Sequence, residues 1–203
     1  MTIVSLKPSE AEVEQYVRNI ITTFHLATAD QYERGIKWYR HANEMAYMIS
    51  GGNVVAGAGV LAALSPQTSW DENTKRAARA FADGKPSGHF EDALRKAARC
   101  LAGEDPATVL PMESKTGHFY RCIVDPDTQD AVCIDRHAHD VAVGQRVRNS
   151  EDRGLSSKKR YAVLAHAYRE AARRLNHSPC EVQAVTWIVQ VDAFRWSRTV
   201  RIN

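Results

Sequence analysis

The chain has 203 residues, of which 44% are hydrophobic and 25% are charged, a mixture that fits one globular domain or two small lobes sharing a core. This composition excludes a disordered, collagen-like or disulfide-scaffold protein. The 27 Lys and Arg residues nearly balance the 24 Asp and Glu residues, so the net charge is only +3 and any surface that binds nucleic acid must be local.

The cysteines and the longest apolar run indicate where the protein resides. Four cysteines form no CxxC pair, and no secretory signal opens the chain, which predicts free buried thiols in a reducing cytosol. An uncharged run from Met45 to Leu64 has membrane-spanning length, but Ser50-Gly51-Gly52-Asn53 interrupts it. A glycine stop followed by an Asn N-cap predicts two helices meeting in a core rather than a membrane span.

Helix signals recur along the chain, and they predict an all-α fold of nine or ten helices without internal repeats. The predicted segments run from the capping box at Ser9 to about Phe24, from Thr28 to Ile49, from Asn53 to Leu64, Asp71–Ala82, Phe90–Leu101, a short turn at Pro106–Leu110, Lys115–Val124, Arg136–Val143, Tyr161–Leu175, and from Ser178 onward. Ala131–Ile134 is the one candidate strand. Trp187, in the last helix, is predicted to pack in the core.

Three short segments follow one another in a definite order: Leu64-Ser65-Pro66-Gln67, then Leu110 to Thr116, then Val132 to Ala138. In this order they resemble the helix-hairpin-helix DNA glycosylases of the endonuclease III type. That family has a Leu-Ser-any-Gln segment, then Leu-Pro, a glycine hairpin and Lys-Thr, and an Asp-any-His segment about twenty residues later. The resemblance covers roughly Val54 to Gly144. It implies a single domain of two helical lobes with a cleft between them, 54–143 as one lobe and 1–53 plus 144–203 as the other.

The resemblance assigns roles to individual residues. It implies that Lys115 is the nucleophile, Asp135 the catalytic carboxylate and Gln67 the residue that enters the base stack. The further DNA-contacting or base-contacting residues that it implies are Trp70, Ser114, Thr116, His137, Arg146 and Arg148. Cleavage of an N-glycosidic bond develops positive charge on the sugar, which a nearby carboxylate stabilises. A neutral lysine amine, favoured by burial and by a helix start, can attack the anomeric carbon and form a Schiff base. The base is first extruded from the duplex, because the bond is otherwise shielded.

The sequence also departs from the family pattern. Met112-Glu113-Ser114 replaces the glycine hairpin, one residue shorter and with an added negative charge, and the C-terminal four-cysteine iron–sulfur motif is absent. The predicted enzyme therefore uses no cofactor, metal or iron–sulfur cluster, and its partner is DNA or a nucleotide base. Two alternatives stay open: an enzyme that hypermodifies thymine or another pyrimidine base, as in related phage proteins, which would act in the host cytoplasm, and a non-catalytic helical DNA-binding module.

Plainer structural interpretations accompany these roles. Lys115 alone is a solvent-facing lysine, Asp135 is a natural N-cap for the helix that follows, and Trp70 could cover the core. The basic segment that runs from Arg146 through Arg153 to Arg160 is either a solvated loop or a patch that contacts phosphates. His139-Asp140, with His41 and Asp192, also admits an HD-type metal phosphohydrolase, although the interval from His41 to His139 is long for that class.

Overall fold

The computed structural model describes residues 4–148 and 150–199, with side chains of the last helix described as far as Ala193. These residues form ten α-helices and no β-strand, which confirms the all-α prediction. The helices are α1 (Glu10–His25), α2 (Ala29–Ile49), α3 (Val54–Ala63), α4 (Trp70–Asp83), α5 (Glu91–Leu101), α6 (Pro106–Val109), α7 (Lys115–Val124), α8 (Arg136–Val143), α9 (Lys158–Leu175) and α10 (Pro179–Thr199).

The chain divides into two compact units. The first comprises Met1–Trp38 and Asp127–Asn203, and the second comprises Tyr39–Pro126. These bounds differ from those of the lobes expected from the sequence, 54–143 and 1–53 plus 144–203. The segment that carries Asp135 thus belongs with the terminal helices, and the second half of α2 belongs with α3.

The core of the first unit is built from α1, α8, α9 and α10, which contact one another in every pairing. Its fully buried side chains include Val17 and Ile20 of α1, Leu164 and Tyr168 of α9, and Val185 of α10. A Cβ atom at Gly35 would lie 2.5 Å from the Val185 side chain, so α2 crosses α10 at a residue that has no side chain. Burial of this apolar set supplies most of the unit's stability.

The second unit is organised around α3, in which eight consecutive residues, Ala56–Ala63, are buried. Asn53 begins the helix by accepting the Ala56 backbone N–H, as its N-cap position predicted. Small residues let α3 approach its neighbours closely: a Cβ at Gly57 would lie 2.2 Å from the Ala46 carbonyl oxygen, and one at Gly59 would lie 2.7 Å from Pro106. The run Met45–Leu64 therefore contains a helix–helix junction in a core, as predicted.

No single helix in the described part of the chain is long and apolar enough to cross a membrane. The helices Ala29–Ile49 and Val54–Ala63 pass the length and composition test only as a pair, and they are bent by 106°.

The predicted strand Ala131–Ile134 is wrong. Its residues are buried and have no regular secondary structure. Their backbone groups form hydrogen bonds with the Tyr161 hydroxyl and not with a neighbouring strand. This hydroxyl donates to the Val132 carbonyl (3.0 Å) and accepts the Ile134 N–H (2.9 Å). All four cysteines are buried thiols, as the sequence predicts.

Candidate functional site

Asp135 stands at the start of α8, and both of its carboxylate oxygens are held. Oδ1 accepts the backbone N–H groups of His137 and Ala138, each at 2.9 Å, which is the geometry of a helix N-cap. Oδ2 accepts the indole N–H of Trp187 at 3.1 Å, across from α10. The side chain is half-buried, so two helices fix the orientation of a carboxylate that still reaches the surface.

Trp187 is the residue of this site that the sequence analysis missed. It was predicted as a core residue, yet its indole N–H donates to the Asp135 carboxylate. Its ring packs edge to face against that of His137, with centroids 6.2 Å apart. Trp187 and Asp135 are 52 residues apart in the chain, so no local pattern could have paired them. A half-buried tryptophan in a helix requires a hydrogen-bond acceptor for its N–H, and that requirement was the available signal.

His137 lies beside this carboxylate as a neutral ring. Burial lowers its pKa, and the charge of Asp135 only partly opposes that effect. The Arg136 Nε–H donates to His137 Nε2 at 3.2 Å, a contact that requires an unprotonated nitrogen. The cluster of Asp135, His137 and Trp187 therefore combines one negative charge with two aromatic rings.

Lys115 is the first residue of α7, and its side chain is exposed. Burial, one of the two means expected to favour the neutral amine, is therefore not present in this conformation. Ser114 is the N-cap, but its hydroxyl donates backwards to the Pro111 carbonyl at 2.8 Å and makes no capping bond to α7. The first turn of α7, which includes half-buried Thr116, thus begins without a side-chain cap.

The turn that precedes α7 is tight although it contains no glycine of its own. The Ser114 N–H donates to the Pro111 carbonyl at 3.0 Å, and exposed Glu113 lies within this turn. The close packing is provided by Gly117 inside α7, where a Cβ would lie 2.2 Å from the Met112 Cα. The close approach is therefore made possible by a glycine in the helix against which the turn packs, and not by a glycine in the turn.

Gln67 has strained backbone geometry. Its φ of +55° is in the left-handed conformation. Among the described residues other than glycine, only Asn176, which ends α9, shares a positive φ. Asparagine tolerates that conformation at a helix end, whereas glutamine has no such advantage. The Gln67 side chain is exposed, and the nearby Trp70 ring meets Phe119 of α7 edge to face at 6.3 Å. Helix α4, which follows the Gln67 turn, thereby contacts α7, the helix that starts at Lys115, within the second unit.

The basic segment after α8 separates into exposed and buried arginines. Arg146 and Arg148 are exposed, and the nearest carboxylate oxygen of Glu151 lies 3.9 Å from Arg148. Arg153 is only 8% exposed and binds both oxygens of buried Asp140, at 2.8 and 2.9 Å. Arg160 donates to the Val4 carbonyl at 2.8 Å. The interpretation of the whole segment as a solvated loop or as a phosphate-binding patch was therefore too broad, because Arg153 has a structural role.

Asp140 is committed to this buried network. Burial alone would raise its pKa, but hydrogen bonds from Arg153, from His139 and from the Val147 N–H lower it to about 2. A carboxylate held by a guanidinium is poorly placed to ligate a metal, which argues against the HD-type interpretation. Among the described residues, no group of three or more His, Cys, Asp or Glu side chains is arranged to hold a metal ion.

The predicted site residues lie in both units. Asp135, His137, Arg146 and Arg148 belong to the first unit, and within it the structure brings Asp135 and His137 together with Trp187. Gln67, Trp70, Ser114, Lys115 and Thr116 belong to the second, where Trp70 contacts Phe119 of α7.

An all-α protein of two compact helical units, with a held carboxylate at one helix start and an exposed lysine at another, is the class that these features define. A model of the family described as "Family of unknown function (DUF7178)" matches residues 2–195, and the chain belongs to this family. No curated protein and no solved structure matches the chain.

Proposed function

We propose that the protein is a DNA N-glycosylase-like enzyme, in which Lys115 attacks the sugar of a modified or damaged nucleotide and Asp135 stabilises the charge that develops there. The observation that carries the proposal is the double hold on Asp135. A capping aspartate needs only one oxygen, which here accepts two N–H groups of α8, while the second oxygen accepts the Trp187 indole N–H. A carboxylate held in advance stabilises a cationic sugar without having to reorganise.

The proposed reaction needs one amine and one carboxylate. The neutral Lys115 amine bonds to C1′ while the C1′–N bond breaks, and the base departs with the electron pair of that bond and takes up a proton from solvent. The amine then loses a proton to solvent, and the C1′–O4′ bond breaks as O4′ takes up a proton, which leaves a Schiff base between Lys115 and C1′ that water hydrolyses. The Asp135 carboxylate balances the positive charge on the sugar.

Binding of the DNA backbone is proposed for two places in the chain. The first turn of α7 has backbone N–H groups without a side-chain cap, and such groups attract phosphate oxygens. Exposed Arg146 and Arg148 carry positive charge that would release counterions from a duplex. Helix α6, the turn Leu110–Ser114 and helix α7 follow in the order expected for a helix-hairpin-helix element, and the strained, exposed Gln67 suits a residue that enters the base stack.

Trapping with borohydride tests the lysine mechanism. The full chain is incubated with a duplex that contains an abasic site, and the Schiff base is reduced to a stable covalent adduct. We expect an adduct with the wild-type protein, its loss in Lys115→Ala, and its retention in Lys85→Ala, which removes another exposed lysine of the second unit. Absence of a wild-type adduct, or equal adducts in the two variants, would refute this mechanism.

The hairpin favours a second candidate function on the same fold. Exposed Glu113 adds negative charge to a turn that would face a DNA phosphate, and this charge favours a substrate other than ordinary damaged duplex. A thymine-hypermodifying or other pyrimidine-modifying enzyme would convert DNA that contains hydroxymethyl-pyrimidine without strand cleavage. A non-catalytic DNA-binding module would instead show salt-dependent DNA affinity that is insensitive to substitution of Lys115 and Asp135.

A further inference from the structure

The turn that carries Gln67 is held by side chains that bond to the carbonyl groups at the end of α3. The buried Asn73 amide donates to the Leu61 carbonyl at 2.9 Å, and the Ser65 hydroxyl donates to the Ala62 carbonyl at 2.9 Å. His89, which precedes α5, reaches the Leu64 carbonyl with its Nε2 at 3.0 Å. Ser65 lies in the α3–α4 connection and Asn73 in α4, so His89 is the one member of this set that comes from beyond α4.

The partners of His89 define its hydrogen positions. The backbone N–H of Phe90 donates to His89 Nδ1 at 2.8 Å, so this nitrogen carries no proton. The Leu64 carbonyl is an acceptor, so Nε2 carries the proton and donates. The ring is thus neutral, with each nitrogen used, and it joins the segment before α5 to the residue that ends α3.

This connection bears directly on the strained residue. Leu64 is fully buried and lies three positions before Gln67, whose left-handed φ costs about 1 kcal/mol and persists only if its surroundings enforce it. Within the described part of the chain the Oδ1 of Asn73 has no hydrogen-bond partner, so Asn73 holds α3 through its amide donor alone. Of the three carbonyl groups that accept these bonds, the Leu64 carbonyl, which His89 holds, lies nearest to Gln67 in the chain.

We propose that His89 is a positioning residue for Gln67: by donating to the Leu64 carbonyl, it keeps the turn Leu64–Gln67 in the conformation from which Gln67 enters the base stack of a DNA duplex. This inference rests on the proposed function and adds to it a residue that never touches the substrate. His89 acts through the backbone of the turn, so its removal weakens base unstacking only when Gln67 is present.

The experiment measures unstacking with the full chain and a duplex that carries 2-aminopurine next to a tetrahydrofuran abasic site. The fluorescence of 2-aminopurine rises when the base leaves the stack. We expect a fluorescence rise with the wild-type protein and its loss in Gln67→Ala. In His89→Asn the rise should be about fivefold smaller, which corresponds to the net free energy of one hydrogen bond. His89→Gln, whose amide nitrogen replaces Nε2, restores the rise, whereas the shorter asparagine cannot reach Leu64.

A double-variant cycle separates positioning from general stabilisation. The cycle is measured on the affinity for the abasic duplex, which Gln67→Ala weakens without abolishing. His89→Asn is expected to lower this affinity in the wild-type background and to change nothing in the Gln67→Ala background. This inference alone is overturned if His89→Asn reduces the duplex affinity equally in both backgrounds. It is also overturned if Gln67→Ala abolishes the fluorescence rise and His89→Asn leaves that rise intact. Absence of any rise with the wild-type protein overturns both the inference and the proposed base extrusion. The melting temperature, measured on each variant, identifies a variant that has failed to fold, and His89→Gln then carries the test.

Discussion

The two residues proposed for catalysis stand at the starts of α7 and α8, Lys115 as the first residue of α7 and Asp135 as the N-cap of α8, and the two helices are anchored in opposite ways. Helix α8 is held by polar contacts at both ends: Asp135 caps its start and binds Trp187, and Asp140 near its end binds Arg153. Helix α7 starts without a side-chain cap, and the turn before it packs through the missing side chain of Gly117. The difference suggests that the carboxylate is fixed in place, whereas the start of α7 is left with backbone donors that a ligand can use.

The buried ion pair is expected to give the largest effect on this comparison. Arg153→Met leaves the Asp140 carboxylate buried without its partner, so we expect a loss of about 3–5 kcal/mol in unfolding free energy. Urea denaturation measures this loss. Arg148→Ala removes an exposed arginine from the same loop and should change stability by less than about 0.5 kcal/mol. Equal effects of the two substitutions would show that α8 does not depend on polar anchoring.

The same pair predicts a window of acid sensitivity. Because the pKa of Asp140 is about 2 in the folded protein, below its ordinary value, the pair stabilises the fold above about pH 4 and loses this contribution as the pH falls towards 2. The expected loss over that window is about 2–3 kcal/mol. Urea denaturation at several pH values compares the wild type with Asp140→Leu/Arg153→Met, which should lack this component. The same pH dependence in both proteins would contradict the assignment.

Gly117→Ala tests the packing on which α7 depends. The new methyl group would lie 2.2 Å from the Met112 Cα, a backbone atom that cannot move aside cheaply, so we expect a loss of about 2 kcal/mol. Thr116→Ala is the control, because it changes the neighbouring residue without entering the turn. Thermal melting of both variants measures the difference, and a Gly117→Ala protein as stable as the control would mean that the turn has room to shift.

Asp135 has a capping role and a proposed catalytic role, and two substitutions separate them. Asp135→Ala removes the cap and should cost about 1–2 kcal/mol, whereas asparagine caps nearly as well and should cost much less. Both substitutions remove the charge, so both should slow borohydride-trapped adduct formation by about a hundredfold. If Asp135→Asn kept the wild-type rate, the carboxylate would be only a cap.

Ser114→Asp is expected to give a small gain in stability and the clearest contrast with α8. An aspartate that caps α7 should add about 0.5–1 kcal/mol, because its carboxylate would accept backbone N–H groups of α7, whereas the Ser114 hydroxyl donates to the Pro111 carbonyl and accepts none of them. Its negative charge would also repel phosphate, so duplex affinity measured by fluorescence anisotropy should fall while stability rises. Affinity that is unchanged or higher would show that the start of α7 does not contact the DNA backbone.

The sequence predicts those features of this molecule that depend on contacts between residues close together in the chain. The capping box at Ser9 and the N-cap at Asn53 act within three residues, and both helices begin where these signals place them. The Asp135 cap is local as well, but its bond to Trp187 joins residues far apart in the chain and was not predicted. The residues Ala131–Ile134 were predicted as a strand. Their backbone bonds instead to the Tyr161 hydroxyl, a contact between residues far apart in the chain that no local pattern reveals.

Burial of charge was the other feature that the sequence did not reveal. Arg153 lies in a run of polar and basic residues, where composition indicates a solvated loop, yet it folds inward because Asp140 offers two oxygens in bidentate geometry. The candidate catalytic pair came from the order of short motifs, whereas the Trp187 side chain that holds Asp135 became visible only in the fold.

The four cysteines give this molecule a built-in reporter of its two units. Cys133 and Cys180 belong to the first unit and Cys100 and Cys122 to the second, and all four are buried. Burial raises the pKa of Cys100 to about 11, so its thiol is shielded from alkylating reagents both sterically and chemically while the second unit stays closed. The rate at which each pair is alkylated would therefore time the opening of its own unit, with no label added to the chain.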